Sequence, residues 1–259
     1  MKSTPFFLRG GSAFGLNAAA GIMQYLEEQG VGFDTGAAMV PVVPGAILFD
    51  LHIGKADVRP DAAMGYQGAK SAKVAPPAEG NAGCGAGATV GKFLGLENAM
   101  KGGLGVYALK VGELLVGSLV AVNCFGEVID PATTQLIGGA YHRDSNSFTR
   151  VREAMAEVQS HQFPTNTTIG AVLTNARLTK TEANKVAQMA HSGISRTITP
   201  AHAMLDGDAL FTLASGRVNA DVSLVGDMAA LAVERAIVRG ITKAATAHDY
   251  LAYRDIFTG

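Results

Sequence analysis

Asn166-Thr167-Thr168 stands directly ahead of an apolar run in the stretch QFPTNTTIGAVLT. Three readings fit it. The tripeptide matches an N-glycosylation acceptor, it suits a polar turn ahead of a strand, and it could be a point at which the chain is cut. Cleavage between Asn166 and Thr167 creates a new N-terminus, whose hydroxyl is the nucleophile and whose own α-amine is the base. An unperturbed α-amine titrates at about 7.7–8.0, so it accepts a proton near neutrality without a histidine.

Other chemistry-bearing groups are scattered along the chain. Gly83 to Lys92, GCGAGATVGK, superficially resembles a phosphate-binding P-loop. It fails because Ala86 replaces the first required glycine and Phe93 follows the lysine where Ser or Thr should hold magnesium. What remains is a solvated surface lysine, or a glycine-rich backbone that passes close to a site and delivers Lys92 into it. Leu205-Asp206-Gly207-Asp208 places two carboxylates near the start of a strand, with His202 just upstream. A metal site, a capped turn, or the orientation of an amine or hydroxyl would each use such a pair. No second cluster of His, Cys or carboxylates accompanies it, so no metal is expected. His191 falls on a helical pattern and reads as structural. Asn123 closes the apolar LVAV run, either as a turn residue or as an amide donor to an oxyanion, where one donor contributes roughly 3 kcal/mol.

These groups need elements to hold them. Gly10 to Leu16 passes from a short apolar strand into a helical pattern, with Ser12 as N-cap, Leu16, Ala19, Ala20, Met23 and Leu26 on one face, and Gly30 as the stop. Gly36 to Phe49 reads as buried strand and turn. From Gly105 to Asp130 a Val- and Leu-rich segment punctuated by glycines predicts a strand meander, apolar on both faces and therefore covered on both. Ser145 to Ser160 reads as a charged helix ending at the Pro164 break. A strand over Thr168 to Thr174 follows, then a helix announced by the Thr179/Glu182 capping box with Ala183, Val186, Ala187, Ala190 and Ile194 on its face. A strand over Asp208 to Ser215 and a helix over Asp227 to Ala245 complete an α+β layered pattern, read as a single domain over 1–259.

Composition narrows the function. The 259 residues carry 21 basic and 22 acidic side chains, for a net charge of −1, without a basic run. Nucleic acid is therefore not an expected partner. The longest uncharged stretch, Gly36 to Phe49, contains two prolines and is shorter than the roughly 20 residues of a membrane span. No export signal is read at the N-terminus, where the apolar cluster Phe6-Phe7-Leu8 is short. Two cysteines, Cys84 and Cys124, without CxxC spacing, fit a reducing, cytoplasmic setting.

Taken in order, GGSAFGLNAAAG, VPGAILFDL, GAGATVGK, VAVNCFGEVID, NTTIGAVLT, TKTEANKVAQMAHSGI and PAHAMLDGDALF resemble the L-aminopeptidase/D-esterase and β-aminopeptidase family, which includes the nylon-oligomer (6-aminohexanoate-oligomer) endohydrolase. The likeness runs over nearly the whole chain. It implies an αββα sandwich and a precursor that cleaves itself between Asn166 and Thr167 into 1–166 and 167–259 chains that stay together. It further implies an N-terminal nucleophile hydrolase acting on small peptides, amino-acid amides or amide oligomers, without a cofactor, as a homo-oligomer. Thr167 is the implied nucleophile, and Lys92, Asn123, Asp206 and Asp208 match the family's other site positions. The Asn-Thr junction is closer to the nylon-oligomer enzyme than to the β-aminopeptidases, where serine is usual.

Two departures accompany the resemblance. Phe49 stands where the nylon-oligomer enzyme has a tyrosine lining its site, which removes a hydroxyl from a substrate-lining position. Family members also carry a long segment ahead of the GGSAFGL motif, and its absence here predicts an uncovered edge or face in the sandwich. Two other readings stay open: an acyltransferase like the ornithine acetyltransferases, which also self-cleave before threonine on a similar fold, and an unprocessed, non-catalytic assembly subunit.

Overall fold

Strand β1 (Phe7–Arg9) leads through a 3-10 turn, Ser12–Asn17, into helix α1 (Ala18–Glu28) in the computed structural model, which describes residues 5–157 and 166–257. Strand β2 (Gly45–Ile47), α2 (Ala62–Lys70), β3 (Gly103–Val111), β4 (Leu114–Asn123), β5 (Thr167–Ala176), α3 (Lys180–Thr197), β6 (Ala209–Val218) and α4 (Val222–Thr242) follow. The main sheet has the order β6-β5-β4-β3, with β5 parallel to β6 and antiparallel to β4.

Side-chain alternation assigns its two faces. Val116, Val120, Val122 and Val172 point to one side and form the main core with Val186, Ala190 and Ile194 of α3 and with Val233 and Ile237 of α4. Ala121 and Ile169 point to the other side, where Leu48, Leu104 and Cys84 bury them together with Leu8 and Ala46. The parallel pair β1–β2 forms this second layer. Outside it lie α1 and α2, packed on each other and joined to the layer where Gly15, in the 3-10 turn ahead of α1, approaches Ile47 and Gly68 of α2 approaches Arg9. The layers therefore run helix, sheet, sheet, helix, as the resemblance implies, with two strands in the β1–β2 layer among the described residues.

Local sequence explains most of the main sheet and its helices. The capping box at α3 is present: the Thr179 hydroxyl accepts from the Glu182 amide, and the Glu182 carboxylate accepts from the Thr179 amide. Helix α4 starts before its expected position because Asp221 caps it, accepting from the Ser223 and Leu224 amides. At two crossings only glycine fits. A Cβ on Gly105 would lie 1.9 Å from the Ala236 carbonyl oxygen, and one on Gly193 would lie 2.3 Å from that of Ala230. Those contacts let α4 sit directly on β3 and on α3.

The N-terminal and middle expectations need correction. Ser12 caps nothing; it sits at φ 54 in a 3-10 turn with Gly11 as its N-cap, and α1 begins only at Ala18. The helix face expected from Leu16 and Met23 is exposed, and the buried positions are Ala18, Gly21 and Ile22. Close backbone approach is the reason. A Cβ on Gly21 would lie 1.7 Å from the Ala62 carbonyl oxygen and one on Gly65 would lie 2.0 Å from that of Ala18, so small residues face the partner and large ones point away. Gly30, at φ 62, does end the helix region. Gly36 to Phe49 is largely exposed up to Val42 and half-buried from Val43 onward, with Pro41 and Leu48 buried. The charged segment from Ser145 holds a short strand, Ser147–Thr149, paired with Ala140–His142, before the helix Val151–Glu157. Pro164 and the expected helix end at 158–160 lie outside the described residues.

Candidate active site

Thr167 is the first residue of β5 and pairs with Asn123, the last residue of β4. Both belong to the alternation set of Ile169 and Ala121, so they face the space between the two sheet layers. Asn166 precedes β5 and still bridges Asp206 in parallel, and the Gly207 amide donates to the Asn166 carbonyl oxygen at 2.9 Å. The Thr167 hydroxyl donates to that same oxygen. The carbonyl ahead of Thr167 thus receives two donors, one of them the adjacent hydroxyl. Gly207 has room for no more than this, since a Cβ there would meet Thr167 Oγ1 at 3.3 Å.

Lys92 is buried rather than solvated. Gly91, at φ +74, turns the chain where a side chain would strike the Gly139 carbonyl carbon at 2.0 Å, and this turn carries Lys92 inward. Its Nζ donates to Asn123 O at 3.0 Å and to Asn123 Oδ1 at 2.9 Å. Burial pulls the ammonium down to about 7, against the opposing pull of Cys124, Asp206 and Asp50. Near neutrality Lys92 is therefore poised between its charged and neutral forms.

Asn123 is oriented from three sides. Its Oδ1 accepts from Lys92 and from the Thr89 amide at 2.9 Å, which turns Nδ2 toward the Phe49 carbonyl at 3.1 Å. The amide donor expected for an oxyanion is thus held by Phe49 O. The Phe49 ring stacks on His52 with centroids 5.7 Å apart. Burial, then the Lys92 charge, pulls the His52 imidazole down to about 4, so His52 is neutral at pH 7.

The two carboxylates occupy different environments. Asp208 Oδ1 accepts from the Thr168 amide at 2.7 Å, and Oδ2 faces His202 Nδ1 at 2.9 Å. Asp206 Oδ1 accepts from the Phe125 amide at 3.2 Å, while its buried Oδ2 has no hydrogen-bond partner among the described residues. Burial and the Asp208 charge push the Asp206 carboxyl up to about 6, partly offset by the Phe125 amide and Lys92. Asp206 can therefore take or give a proton close to neutral pH, whereas both Asp208 oxygens are engaged.

The structure thus brings Thr167, Asn166, Asn123, Lys92, Asp206, Asp208 and Phe49 into one region linked by hydrogen bonds. Among the described residues no three His, Cys, Asp or Glu side chains converge as a metal ligand set. His191 on α3 is not isolated, because its ring lies 4.9 Å from that of His202. Sequence reasoning missed three contributors. The Gly207 and Phe125 amides are backbone groups, which no residue type announces, and His202 was considered only as a metal ligand. It also missed Lys101, fully buried and donating to the Gly85, Ala88 and Gly102 carbonyls, a structural use of a lysine. Cys84 and Cys124 are free and buried, and burial raises both thiols, Cys84 to about 12. No helix of the described residues is long and apolar enough to cross a membrane.

Known proteins resemble this chain in sequence and in fold. The sequence profile of peptidase family S58 matches residues 1–252. An uncharacterized aminopeptidase of Mycobacterium bovis is 37% identical over 277 residues, covering 97% of this chain and 78% of that protein. The 6-aminohexanoate-oligomer endohydrolase of Agromyces sp. is 30% identical over 217 residues, covering 82% of this chain but 60% of the enzyme. Among solved structures, a β-aminopeptidase of Burkholderia sp. superposes with a TM-score of 0.61 at 20% identity, over 92% of this chain and 68% of that one. The L-aminopeptidase D-Ala-esterase/amidase of Ochrobactrum anthropi, described as a variant of the Ntn hydrolase fold, gives 0.57 at 19% identity, over 83% and 62%. The chain belongs to peptidase family S58, hydrolases of peptide and amide bonds, and has the α+β fold of the Ntn hydrolases.

Proposed function

We propose that the protein is a self-processing N-terminal threonine amidohydrolase that cuts itself between Asn166 and Thr167 and then hydrolyses amide bonds of small peptides, amino-acid amides or amide oligomers. The observation that carries this reading is the pairing at Asn166: its carbonyl oxygen accepts both the Gly207 amide and the Thr167 hydroxyl. The group that must attack is held against the group that must be attacked.

In processing, Thr167 Oγ1 adds to the Asn166 carbonyl carbon, and the bond from that carbon to the Thr167 nitrogen breaks. The hydroxyl proton ends on that nitrogen, leaving an ester that water hydrolyses to an Asn166 carboxylate and a free Thr167 amine. The uncut chain has no such amine to act as base. Asp206, with an unpartnered oxygen and a carboxyl near neutrality, is the group suited to carry the proton. The Gly207 amide stabilises the charge that develops on the Asn166 oxygen.

In turnover the Thr167 amine takes the hydroxyl proton as the oxygen attacks a substrate amide. The proton passes to the leaving amine, and water resolves the acyl-enzyme. Asn123 Nδ2 serves as the oxyanion donor once substrate displaces its contact with Phe49 O. The Lys92 charge disfavours the ammonium form of the Thr167 amine and so keeps it available as a base. Phe49 lines the substrate side of the site. Processed protomers form a homo-oligomer, a proposal supported by the exposed apolar side chains Phe14, Leu16, Met23, Phe33 and Val42.

The test is a denaturing intact-mass spectrum of purified protein. Two species summing to the chain plus one water, with Thr167 at a new terminus, are expected. Thr167→Ala should give a single full-length mass and should not hydrolyse an amino-acid p-nitroanilide or a 6-aminohexanoate trimer. A Thr167→Ala variant that still cuts itself and turns over either amide removes Thr167 from the mechanism.

A further inference from the structure

We propose that His202 is a positioning residue of this site, acting through Asp208; the inference rests on the reading of Thr167 as nucleophile. A histidine in contact with an aspartate near the surface contributes little in most settings. Three observations separate this pair from that case.

The first is the burial asymmetry. The Asp208 side chain is 5% exposed, and His202 covers its Oδ2 at 2.9 Å while remaining 38% exposed itself. Without His202 that buried oxygen loses its hydrogen-bond donor. The second is what Asp208 does with its other oxygen, which accepts the Thr168 amide at 2.7 Å, the amide directly following the nucleophile. His202, Asp208 and Thr168 therefore form a continuous chain of contacts that ends beside Thr167. The third is the backbone. His202 sits at φ 55, in the left-handed region that only a few per cent of non-glycine residues adopt, histidine, asparagine and aspartate more often than the rest. His191 of α3 backs its ring at 4.9 Å, so the imidazole is packed between a helix and the carboxylate.

The imidazole thus fixes the rotamer of Asp208, and Asp208 fixes the first amide of β5 after Thr167. A looser Asp208 lets the nucleophile drift, and misplacement of about 1 Å costs on the order of 100-fold in rate. Substrate binding does not depend on this contact, because His202 acts on the nucleophile's mount.

Asparagine separates the bond from other properties of histidine. Its Nδ2 stands close to where His Nδ1 stands, and it tolerates the left-handed backbone. Glycine keeps the backbone and deletes the bond. The experiment measures self-cleavage by intact mass, and kcat and KM on L-alanine p-nitroanilide, for the parent, His202→Asn and His202→Gly. Expected is an Asn variant within about 3-fold of the parent and a Gly variant slower by roughly 10- to 100-fold in cleavage and kcat with KM unchanged. His202→Ser, too short to reach Asp208, replaces the Gly variant if that fails to fold. In an Asp208→Asn background, His202→Gly should add no further loss. A Gly variant as fast as the parent, an Asn variant as slow as Gly, or a full extra loss in the Asp208→Asn background overturns the proposal. Thr167→Ala run alongside tells the two failures apart: if it is inert while His202→Gly is parent-like, only the role of His202 falls. If Thr167→Ala remains active, the nucleophile reading falls and takes this one with it.

Discussion

Asp206 and Asp208 are chemically identical and two positions apart, yet their surroundings divide the work between them. Asp208 has both oxygens committed, to the Thr168 amide and to His202, which suits a fixed mount. Asp206 has a buried oxygen without a hydrogen-bond partner among the described residues, and a carboxyl raised to about 6, mainly by burial. A carboxyl raised above its unfolded value of about 3.9 favours the folded state at low pH, and that contribution is lost as pH rises through about 6. Asp206→Asn should therefore match the parent's stability near pH 4 and exceed it at pH 8. The expected gain is on the order of 1–2 kcal/mol, allowing for solvent screening of a partly exposed group. Urea titrations at the two pH values test this, and a variant less stable than the parent at pH 8 would show that Asp206 is not under desolvation strain. The same substitution should slow self-cleavage by on the order of 100-fold or more, the contribution of a general base.

At the scale of elements, the site depends on two strand ends meeting in register. Thr167 opens β5 opposite Asn123 at the close of β4, and a slip of one residue would turn Thr167 toward the helices. Glycines set how closely the helices support that sheet. Gly105→Ala places a Cβ 1.9 Å from the Ala236 carbonyl oxygen, so α4 must move off β3. A loss of about 1–3 kcal/mol is expected from this overpacking, read as a lower urea midpoint. Thr179→Ala removes the hydroxyl that caps α3 and should cost about 1 kcal/mol. An unchanged midpoint for either variant would contradict the contact assigned to it.

For the whole molecule, the proposed cleavage at Asn166 would not divide the fold into separable parts. The 167–259 segment supplies β5, α3, β6 and α4, while the 1–166 segment supplies β3 and β4, and β5 pairs with β4 along most of its length. Val120 and Val122 of the first segment share one core with Val172, Val186 and Ile237 of the second. If the chain is cut there as proposed, the two resulting chains should co-elute as one species in native size-exclusion chromatography and separate only in denaturant. Native dissociation of the chains would mean that this shared core does not hold them.

The sequence by itself determined the repetitive parts of this protein. The Val-rich strands, the Thr179/Glu182 box and the face through Val186, Ala190 and Ile194 follow from period and capping, which are local properties. Ordered motifs also singled out Thr167, Lys92, Asn123, Asp206 and Asp208, which the fold brings into one region. Hydrophobic spacing misplaced the buried face of α1, because its packing against α2 is governed by backbone approach at Gly21 and Gly65, where the informative residues have no side chain. Tertiary structure alone decided that Lys92 is buried against Asn123, that Asp206 and Asp208 differ in surroundings, that His202 contacts Asp208, and that the Gly207 amide reaches the Asn166 carbonyl. Each of those depends on desolvation or on a backbone group brought from a distant part of the chain, and neither is written in the type or spacing of residues.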